Sequence, residues 1–394
     1  MNNQRFYYVP AFIIASIALI EMATDMYLPN LPAVMREFNT TESLLQLTLS
    51  VNLFGLATAG LLAGPLSDTL GRRNMLLSGL LLFLIAGIFC TLAPSVDILL
   101  IARLLQGLGG GIVLVVGTAA IRDLYQAEKL AKIMSMMGMV IAVSPGIAPI
   151  IGGYIGMYFD WRATFGFLVV CGALLVLLFF YAMPETLYTS SKKTFSIKPI
   201  LTNYLEIVKI PAFVLNALLL ALTIAQLWIE MGNLPFLYIQ TLNVPSHHYG
   251  IYFGSSVFIF VLGTLFNQRY VMTYGVDRLL FSGILLKVIS VLLICFAAWL
   301  NIQQAWLIQL FFYPGAFGLA LVISNASSRS LSVITQHVGC ASAVLYLLEM
   351  ALAGLALYIA GLFFNNTLWP IAISGIIWMG LVFGLYGLRK VRVT

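Results

Sequence analysis

Apolar residues follow one another along this chain in long continuous runs that are separated by short polar segments. A helix needs about 20 mostly apolar residues to cross a bilayer, and each run reaches that length. Strands of a transmembrane β-barrel would alternate between apolar and polar positions, so the pattern excludes that fold. We predict an all-α membrane protein with twelve transmembrane helices, near residues 8–29, 44–66, 74–94, 98–121, 133–157, 163–183, 211–240, 248–270, 279–299, 304–328, 338–362 and 367–388.

The composition excludes soluble and disordered classes. Of the 394 residues, 61% are hydrophobic and 9% are charged, whereas soluble domains carry roughly 25% charged residues. The four cysteines all lie in apolar runs and are interpreted as small hydrophobic residues rather than disulfide partners. The first run continues into Asp25, Pro29 and Pro32 without a small-residue cleavage site, so we expect a retained helix and not a signal peptide.

Basic residues are unevenly distributed when the helices are threaded alternately across a bilayer. Of the twenty lysines and arginines, only Arg36 and Arg162 fall on the side opposite to both termini, while Arg103 and Lys287 fall within spans. Cytoplasmic loops of membrane proteins are enriched in Lys and Arg. The bias predicts cytoplasmic termini, an even number of helices and a cytoplasmic loop between the sixth and seventh helices, and it explains the net charge of +6 without a nucleic-acid partner.

A polar stretch in the middle of the chain separates six predicted helices from six others. We expect an N-terminal six-helix bundle over residues 1–184, a cytoplasmic linker over residues 185–210 and a C-terminal six-helix bundle over residues 211–394. In the linker, Ile197, Leu201, Tyr204, Leu205 and Val208 recur at helical spacing. This segment is either an amphipathic helix on the cytoplasmic leaflet or an ordinary solvated loop.

The two halves share a weak internal similarity. The tripeptide Ile20, Glu21, Met22 recurs as residues 229–231, and Gly71 has a counterpart in Gly275 at nearly the same offset. Near-equal offsets favour a duplicated six-helix unit, as in transporters built from repeats.

The segment Gly64–Arg73 lies between the second and third predicted helices and contains Asp68, Gly71, Arg72 and Arg73. It resembles the signature loop of the major facilitator superfamily, G-x-L-x-D-x-x-G-R-R/K. Gly71 permits a tight turn, and the charged residues can hold the cytoplasmic face through ion pairs and helix ends. The resemblance implies that this loop gates conformation by latching the two halves together in the outward-open state.

The fourth predicted helix contains Leu99, Arg103, Gln106 and Gly107, which resemble the second superfamily motif, L-x-x-x-R-x-x-Q-G. An arginine within a membrane span costs roughly 2.5 to 3.5 kcal/mol on insertion scales, so it needs an acidic or carbonyl partner. The resemblance implies a role for Arg103 in proton coupling. The alternative is that its side chain extends to the outer membrane surface.

The fifth predicted helix contains Pro145, Pro149, Gly152 and Gly153 and resembles the antiporter motif G-P-x-x-G-G, with Ala148 in place of the first glycine. Prolines bend helices and small residues permit close contact, so these four residues are expected to form a gate. The alternative is a role in packing alone.

Residues Asp25–Pro32 resemble the D-x-Y-L-P-x-L-P signature of the drug:proton antiporters, specifically their bicyclomycin-resistance-like (Bcr/CflA) branch. Residues 122–125, 184–186 and 324–326 extend the similarity along the chain. The resemblance implies the major facilitator fold, in which two pseudo-symmetric six-helix bundles move around a central site.

Glu21 and Asp25 are four residues apart and share one face of the first helix. When protonated, such a pair is nearly neutral, and when ionised it attracts a cation or an arginine. Proton and substrate can then compete for one site, so both residues are candidates for proton coupling. The alternatives are a structural ion pair for Glu21 and a helix-end contact for Asp25.

Three further charges, Glu230, Lys287 and Glu349, also lie within predicted spans and should face the protein interior. Lys287 can pair with either glutamate or with substrate. The resemblance implies that certain helices line the substrate cavity, and with these three charges the candidate lining residues are Tyr27, Asn216, Gln226, Trp228 and Asn325.

Motifs of other functional classes are missing from the sequence. No ATP-binding loop or hydrolase motif occurs, and the three histidines lack the spacing of metal ligands. We therefore expect a non-enzymatic secondary transporter without cofactor or metal that uses the proton gradient and functions as a monomer.

The leading function is export of small amphipathic compounds or drugs in exchange for protons. The main alternative is proton-coupled uptake or export of one specific metabolite, such as a carboxylate siderophore, which Lys287 would suit. A receptor or scaffold that does not transport is a further class.

Overall fold

The computed structural model describes residues 8–187, 197–334 and 338–393, and helices dominate it. Part of the predicted linker, residues 188–196, and His337 lie outside the described residues. The helices are α1 Val9–Asp25, α2 Leu31–Phe38, α3 Glu42–Leu70, α4 Arg72–Thr91, α5 Val96–Leu124, α6 Ala127–Tyr158, α7 Trp161–Ala182, α8 Ile197–Val208, α9 Pro211–Phe236, α10 Ser246–Tyr274, α11 Val276–Trp299, α12 Ala305–Ser332, α13 Val338–Leu362 and α14 Trp369–Val393.

Twelve helical segments in the described ranges are long and apolar enough to cross a membrane. The predicted fold class is therefore confirmed. Several helices begin earlier than predicted because polar side chains cap their first turns. Thr41 accepts a hydrogen bond from the backbone N–H of Leu44 at the start of α3, and Ser95 accepts one from that of Ile98 at the start of α5.

The first span is interrupted close to its proline residues. Helix α1 ends at Asp25, a 3-10 turn covers Leu28–Asn30, and α2 follows. The break precedes the predicted end at residue 29 because proline lacks the N–H group that a continuing helix needs. The Asn30 amide donates to the carbonyls of Met26 (3.2 Å) and Gly152 (3.0 Å), so the turn is fixed against α6.

Glycines bring the helices of each half into close contact. A Cβ atom on Gly107 of α5 would lie 2.1 Å from the carbonyl oxygen of Asn52 on α3. In the second half, a Cβ on Gly318 of α12 would lie 2.5 Å from the carbonyl oxygen of Gly283 on α11. Small residues at such crossings allow the backbones to approach and gain dispersion energy.

The predicted counterparts Gly71 and Gly275 have the same backbone role. Gly71 joins α3 to α4 with φ of 95°, and Gly275 joins α10 to α11 with φ of 81°. Positive φ is accessible to glycine at little cost. A single glycine thus connects two long helices in each half.

The two halves meet mainly where α3 packs on α13 and α6 packs on α10. The closest contacts lie on the side of the bundle away from the described chain ends. There the Gln46 amide donates to Asn233 Oδ1 (2.9 Å), and a Cβ on Gly250 would lie 2.5 Å from the backbone nitrogen of Ile150. The predicted domain bounds, 1–184 and 211–394, stay a prediction.

The described part of the linker forms a helix, which is one of the two predicted alternatives. The Tyr204 hydroxyl of α8 donates to the carbonyl of Leu61 (2.8 Å), and Ile207 is buried. Leu201, Leu205 and Val208 are exposed. An interfacial position for α8 stays a prediction.

We expect Gly107→Ala to destabilise the protein by about 1–3 kcal/mol, because the added methyl group meets the α3 backbone and not a flexible side chain. Thermal unfolding of the purified protein in detergent measures the effect. Gly380→Ala in α14 is the matched control, since its Cβ would have no neighbour within 4 Å. Equal midpoints for the two variants would contradict this packing analysis.

Candidate functional site

A cavity of about 520 Å³ lies between the two halves. Its wall is mostly apolar, and α1, α3 and α6 of the first half and α9–α13 of the second half contribute to it. Five of the predicted site residues lie in its wall: Glu21, Asp25, Trp228, Glu230 and Lys287. Pro145 of the predicted gate lies there as well.

Glu21 and Asp25 face the cavity from α1. Asp25 is only 4% exposed, and Glu21 is half-buried. Among the described residues, neither carboxyl group has a hydrogen-bond or ion-pair partner. A buried carboxylate without a partner loses much of its hydration, so each group can exchange its charge for a proton or a bound cation.

Arg103 is completely buried beside these carboxyl groups. Its guanidinium donates to the Ala23 carbonyl (3.3 Å), the Thr24 hydroxyl (3.3 Å) and Gln106 Oε1 (2.7 Å). The alternative in which this side chain extends to the membrane surface is therefore wrong. The expected carbonyl partner belongs to α1, so Arg103 attaches α5 to the turn that carries Asp25.

Lys287 lies 2% exposed in the cavity wall, with its Nζ 3.9 Å from Glu230 Oε1. The Gln226 amide donates to the same carboxyl oxygen (3.2 Å). Glu230 is therefore the partner of Lys287 in this conformation, and Glu349 is not. The contact is long for an ion pair, so both groups remain accessible to the cavity.

Five residues predicted to line the cavity lie outside its wall: Tyr27, Asn216, Gln226, Asn325 and Glu349. Four of them are on helices that reach the cavity, and Tyr27 lies in the turn after α1. The Asn216 amide donates to its own helix at Ala212, and the Asn325 amide donates to Asn267 Oδ1 (2.6 Å). The resemblance indicated the helices, whereas the direction of each side chain depends on packing.

The Tyr27 side chain is 1% exposed and belongs to the core of the first half. Its oxygen accepts a hydrogen bond from Thr48 (3.3 Å), and its ring centre lies 5.4 Å from the Arg103 guanidinium carbon. This residue therefore packs against Arg103 and does not line the cavity in this conformation, and a substrate contact for it stays a prediction.

Sequence reasoning missed the wall that α10 supplies. Phe253, Val257, Phe260 and Thr264 line the cavity at helical spacing, and Ser256 adds a hydroxyl group. The period of three to four residues could have indicated one continuous face. Apolar residues occur on every side of the middle of α10, however, so the sequence alone does not separate a cavity face from a lipid face.

The loop between α3 and α4 is held by a compact set of polar contacts around Arg72. Its guanidinium binds Asp68 (2.8 Å) and Asp123 (2.9 Å). The Glu185 carboxylate accepts hydrogen bonds from the backbone N–H groups of Arg72 (2.9 Å) and Arg73 (3.3 Å). Asp68 and Asp123 belong to the first half and Glu185 to the start of the linker, so the contacts described for this conformation do not latch the two halves together.

The second half carries a related ion pair with the charges exchanged. Asp277 follows Gly275 and binds Arg329 at the end of α12 (Nε–Oδ1 3.2 Å). In the first half, Arg72 follows Gly71 and binds Asp123 at the end of α5.

The predicted gate on α6 contacts both halves. A Cβ on Gly152 would lie 2.1 Å from the Met26 carbonyl oxygen, and one on Gly153 would lie 2.8 Å from that of Ser246 on α10. Pro149 and Ile150 meet Gly250. Close packing is evident, and a gating role for these residues stays a prediction.

The fold and the cavity define a multi-pass membrane transporter, and comparison with known proteins agrees with this class. The family model for the Major Facilitator Superfamily matches residues 13–357, so the chain belongs to this family of transporters and is not an enzyme. A bacterial homolog to the human lysosomal transporter Spinster, in an inward-facing and occupied conformation, has the same fold (TM-score 0.78, 14% identity, covering 98% of this chain and 97% of that chain).

Two curated relatives confirm the resemblance to the bicyclomycin-resistance-like branch. A bicyclomycin resistance protein homolog of Haemophilus influenzae is 26% identical, over 88% of this chain and 87% of the relative. The multidrug resistance protein MdtL of a Shewanella strain is 29% identical, over 86% of this chain and 84% of the relative.

We expect Lys287→Met to lower stability by about 3 kcal/mol, because it leaves Glu230 without its counter-charge in a mostly buried site. The double variant Lys287→Met, Glu230→Gln should recover most of the loss. Thermal unfolding of both variants measures this coupling. An equal loss in the single and double variants would show that the pair contributes nothing.

Proposed function

We propose that this transporter exports small amphipathic compounds, drugs among them, in exchange for protons. It acts as a monomer by alternating access in a bacterial-type inner membrane, with both termini in the cytoplasm. The proton gradient is the energy source, and no cofactor is needed. One observation carries the proposal: two carboxyl groups, Glu21 and Asp25, lie without described partners in the wall of a mostly apolar cavity.

The chemistry of this wall supports exchange. A proton on either carboxyl group removes a charge that would otherwise attract an amphipathic compound, so the two ligands compete. The apolar wall supplies the rest of the binding energy through burial of carbon surface. Trp228 and Phe312 offer flat faces to ring systems.

Arg103 is placed to couple proton binding to movement. Its guanidinium donates a hydrogen bond to the α1 backbone carbonyl of Ala23, two residues before Asp25. A change of charge on Asp25 alters its electrostatic interaction with Arg103, so α1 and α5 respond together. We propose that Asp68 and Arg72, far from the cavity, set the balance between the two access states.

The arrangement of the halves fits the loading state of an exporter. The halves are in close contact on the side away from the described chain ends, whereas a Cβ on Gly138, in the α6 part of the wall, would have no neighbour within 4 Å. With cytoplasmic termini, this conformation admits substrate from the cytoplasm. The names of the two relatives, which refer to drug resistance, agree with that direction.

The alternative of a dedicated carboxylate transporter depended on an unpaired Lys287. Because Lys287 lies beside Glu230, the cavity offers no isolated cation to a carboxylate. Export of amphipathic compounds is therefore the function that the wall favours.

Inverted membrane vesicles with an acidic interior test the proposal. We expect lipophilic cations or neutral antibiotics to collapse the pH gradient, as a fluorescent reporter measures, and polycarboxylates to have no effect. Asp25→Asn should abolish the collapse, and Glu21→Gln should reduce it. No response to any compound in vesicles that contain the native protein would overturn proton-coupled export.

The matched control is Asp97→Asn, the same chemical change on an exposed residue in the first turn of α5. It should leave the collapse intact. An unaltered response in the double variant Asp25→Asn, Glu21→Gln would refute the role of the carboxyl groups while leaving transport itself in place.

A further inference from the structure

The Asp25 carboxyl group is buried but has no hydrogen-bond donor among the described residues. It is 4% exposed, and among the described residues no side chain donates a hydrogen bond to it. Arg103 is the nearest cation, but its described hydrogen bonds go to Ala23, Thr24 and Gln106. A buried carboxylate normally has hydrogen-bond donors, so the missing donor calls for an explanation.

A second isolated polar group lies on the opposite half. Tyr249, in the first turn of α10, is 1% exposed, and its hydroxyl has no hydrogen-bond partner among the described residues. Its ring stacks on that of Phe253 at 6.3 Å, and Phe253 lines the cavity. Tyr249 therefore lies just beyond the closed end of the cavity.

The packing of α10 brings this tyrosine against the first half. A Cβ on the adjacent Gly250 would lie 2.5 Å from the backbone nitrogen of Ile150 on α6. Helix α10 also contacts the 3-10 turn Leu28–Asn30, which follows Asp25. A carboxylate that lacks a donor and a phenol that lacks an acceptor thus lie on opposite sides of one interface. In this conformation they do not hydrogen-bond to each other.

We propose that Tyr249 is a coupling residue whose hydroxyl turns to donate to Asp25 when Asp25 is ionised, and so holds the two halves together at the closed end of the cavity. This inference rests on the proposed antiport. Protonation of Asp25, or a cationic substrate that engages it, removes the charged acceptor and releases the contact.

Such a contact solves a problem that every antiporter has. A carrier that returns empty and ionised after each inward delivery of a proton dissipates the gradient without exporting anything. The contact between Tyr249 and Asp25 stabilises the empty carrier with ionised Asp25 in the inward-facing state. Hydrogen bonds to charged groups are stronger than neutral ones, so the effect depends on the charge of Asp25.

The surroundings of Asp25 fix the sign of the pH dependence. The charged groups that act on Asp25 are Glu21 on the same helix and Arg103 on α5, and Tyr249 lies across the interface on α10. Alkaline conditions ionise Asp25 and close this end of the cavity. Acidic conditions neutralise it and allow the end to open.

Spin labels at Leu92→Cys and Gln303→Cys, in a background with the four native cysteines replaced by alanine, report the distance across the closed side. Both positions are exposed, one on each half. We expect a short distance at alkaline pH that lengthens in acid. Tyr249→Phe should shift the ratio of long to short distances by roughly tenfold at alkaline pH, as loss of a charge-assisted hydrogen bond predicts.

Tyr252→Phe is the matched control, since it removes a hydroxyl from the same helix three residues further on. It should behave as the native protein does. Equal distance distributions for Tyr249→Phe and native protein at alkaline pH would overturn the proposal, as would an equal shift in both tyrosine variants. This measurement needs no substrate, so it is independent of the vesicle assay for transport.

Proton entry into liposomes without any added compound provides the functional readout. Under an imposed membrane potential, Tyr249→Phe should admit protons several-fold faster than native protein, and Asp25→Asn combined with it should abolish the increase. An unchanged leak in Tyr249→Phe would refute the coupling role even where compound-driven exchange in the native protein is established.

Discussion

A charge inside this bundle is stable only where neighbouring groups replace the water that it has lost, and Arg103 shows how this is achieved. Its partners are a main-chain carbonyl of α1 and the side chains of Thr24 and Gln106. Because the described hydrogen bonds of the Arg103 guanidinium go to uncharged groups, Asp25 does not form a permanent ion pair with it. The proposed exchange of Asp25 between a proton, substrate and Tyr249 depends on that arrangement.

The rigidity of each half is the second condition for function. Gly107 and Gly318 bring backbones together within a half, so these crossings tolerate little sliding. The contacts between the halves include close backbone packing at Gly250 and also amide hydrogen bonds such as that from Gln46 to Asn233. Amide hydrogen bonds can be exchanged for bonds to water, which suits the proposed movement between the halves.

Much of the fold followed from the sequence because a bilayer imposes a length and a polarity on every span. The helices and the loop around Arg72 are of this kind. The cavity wall was harder to predict, since Asn216 and Asn325 are polar and lie on suitable helices, yet each donates hydrogen bonds within the protein. The sequence could not show which glutamate pairs with Lys287, because the choice depends on the distance between side chains on different helices. Nothing in the sequence singled out Tyr249, because tyrosines near helix ends are common at membrane interfaces.

The wall on α10 has a consequence for how this protein can change over generations. Phe253, Phe260 and Thr264 line the cavity, whereas Gly250 and Gly263 of the same helix set its separation from α6 and α12. Exchanges among apolar side chains of similar volume cost little stability. Under the proposed export function, a new compound can therefore favour new side chains in the wall without loss of the fold.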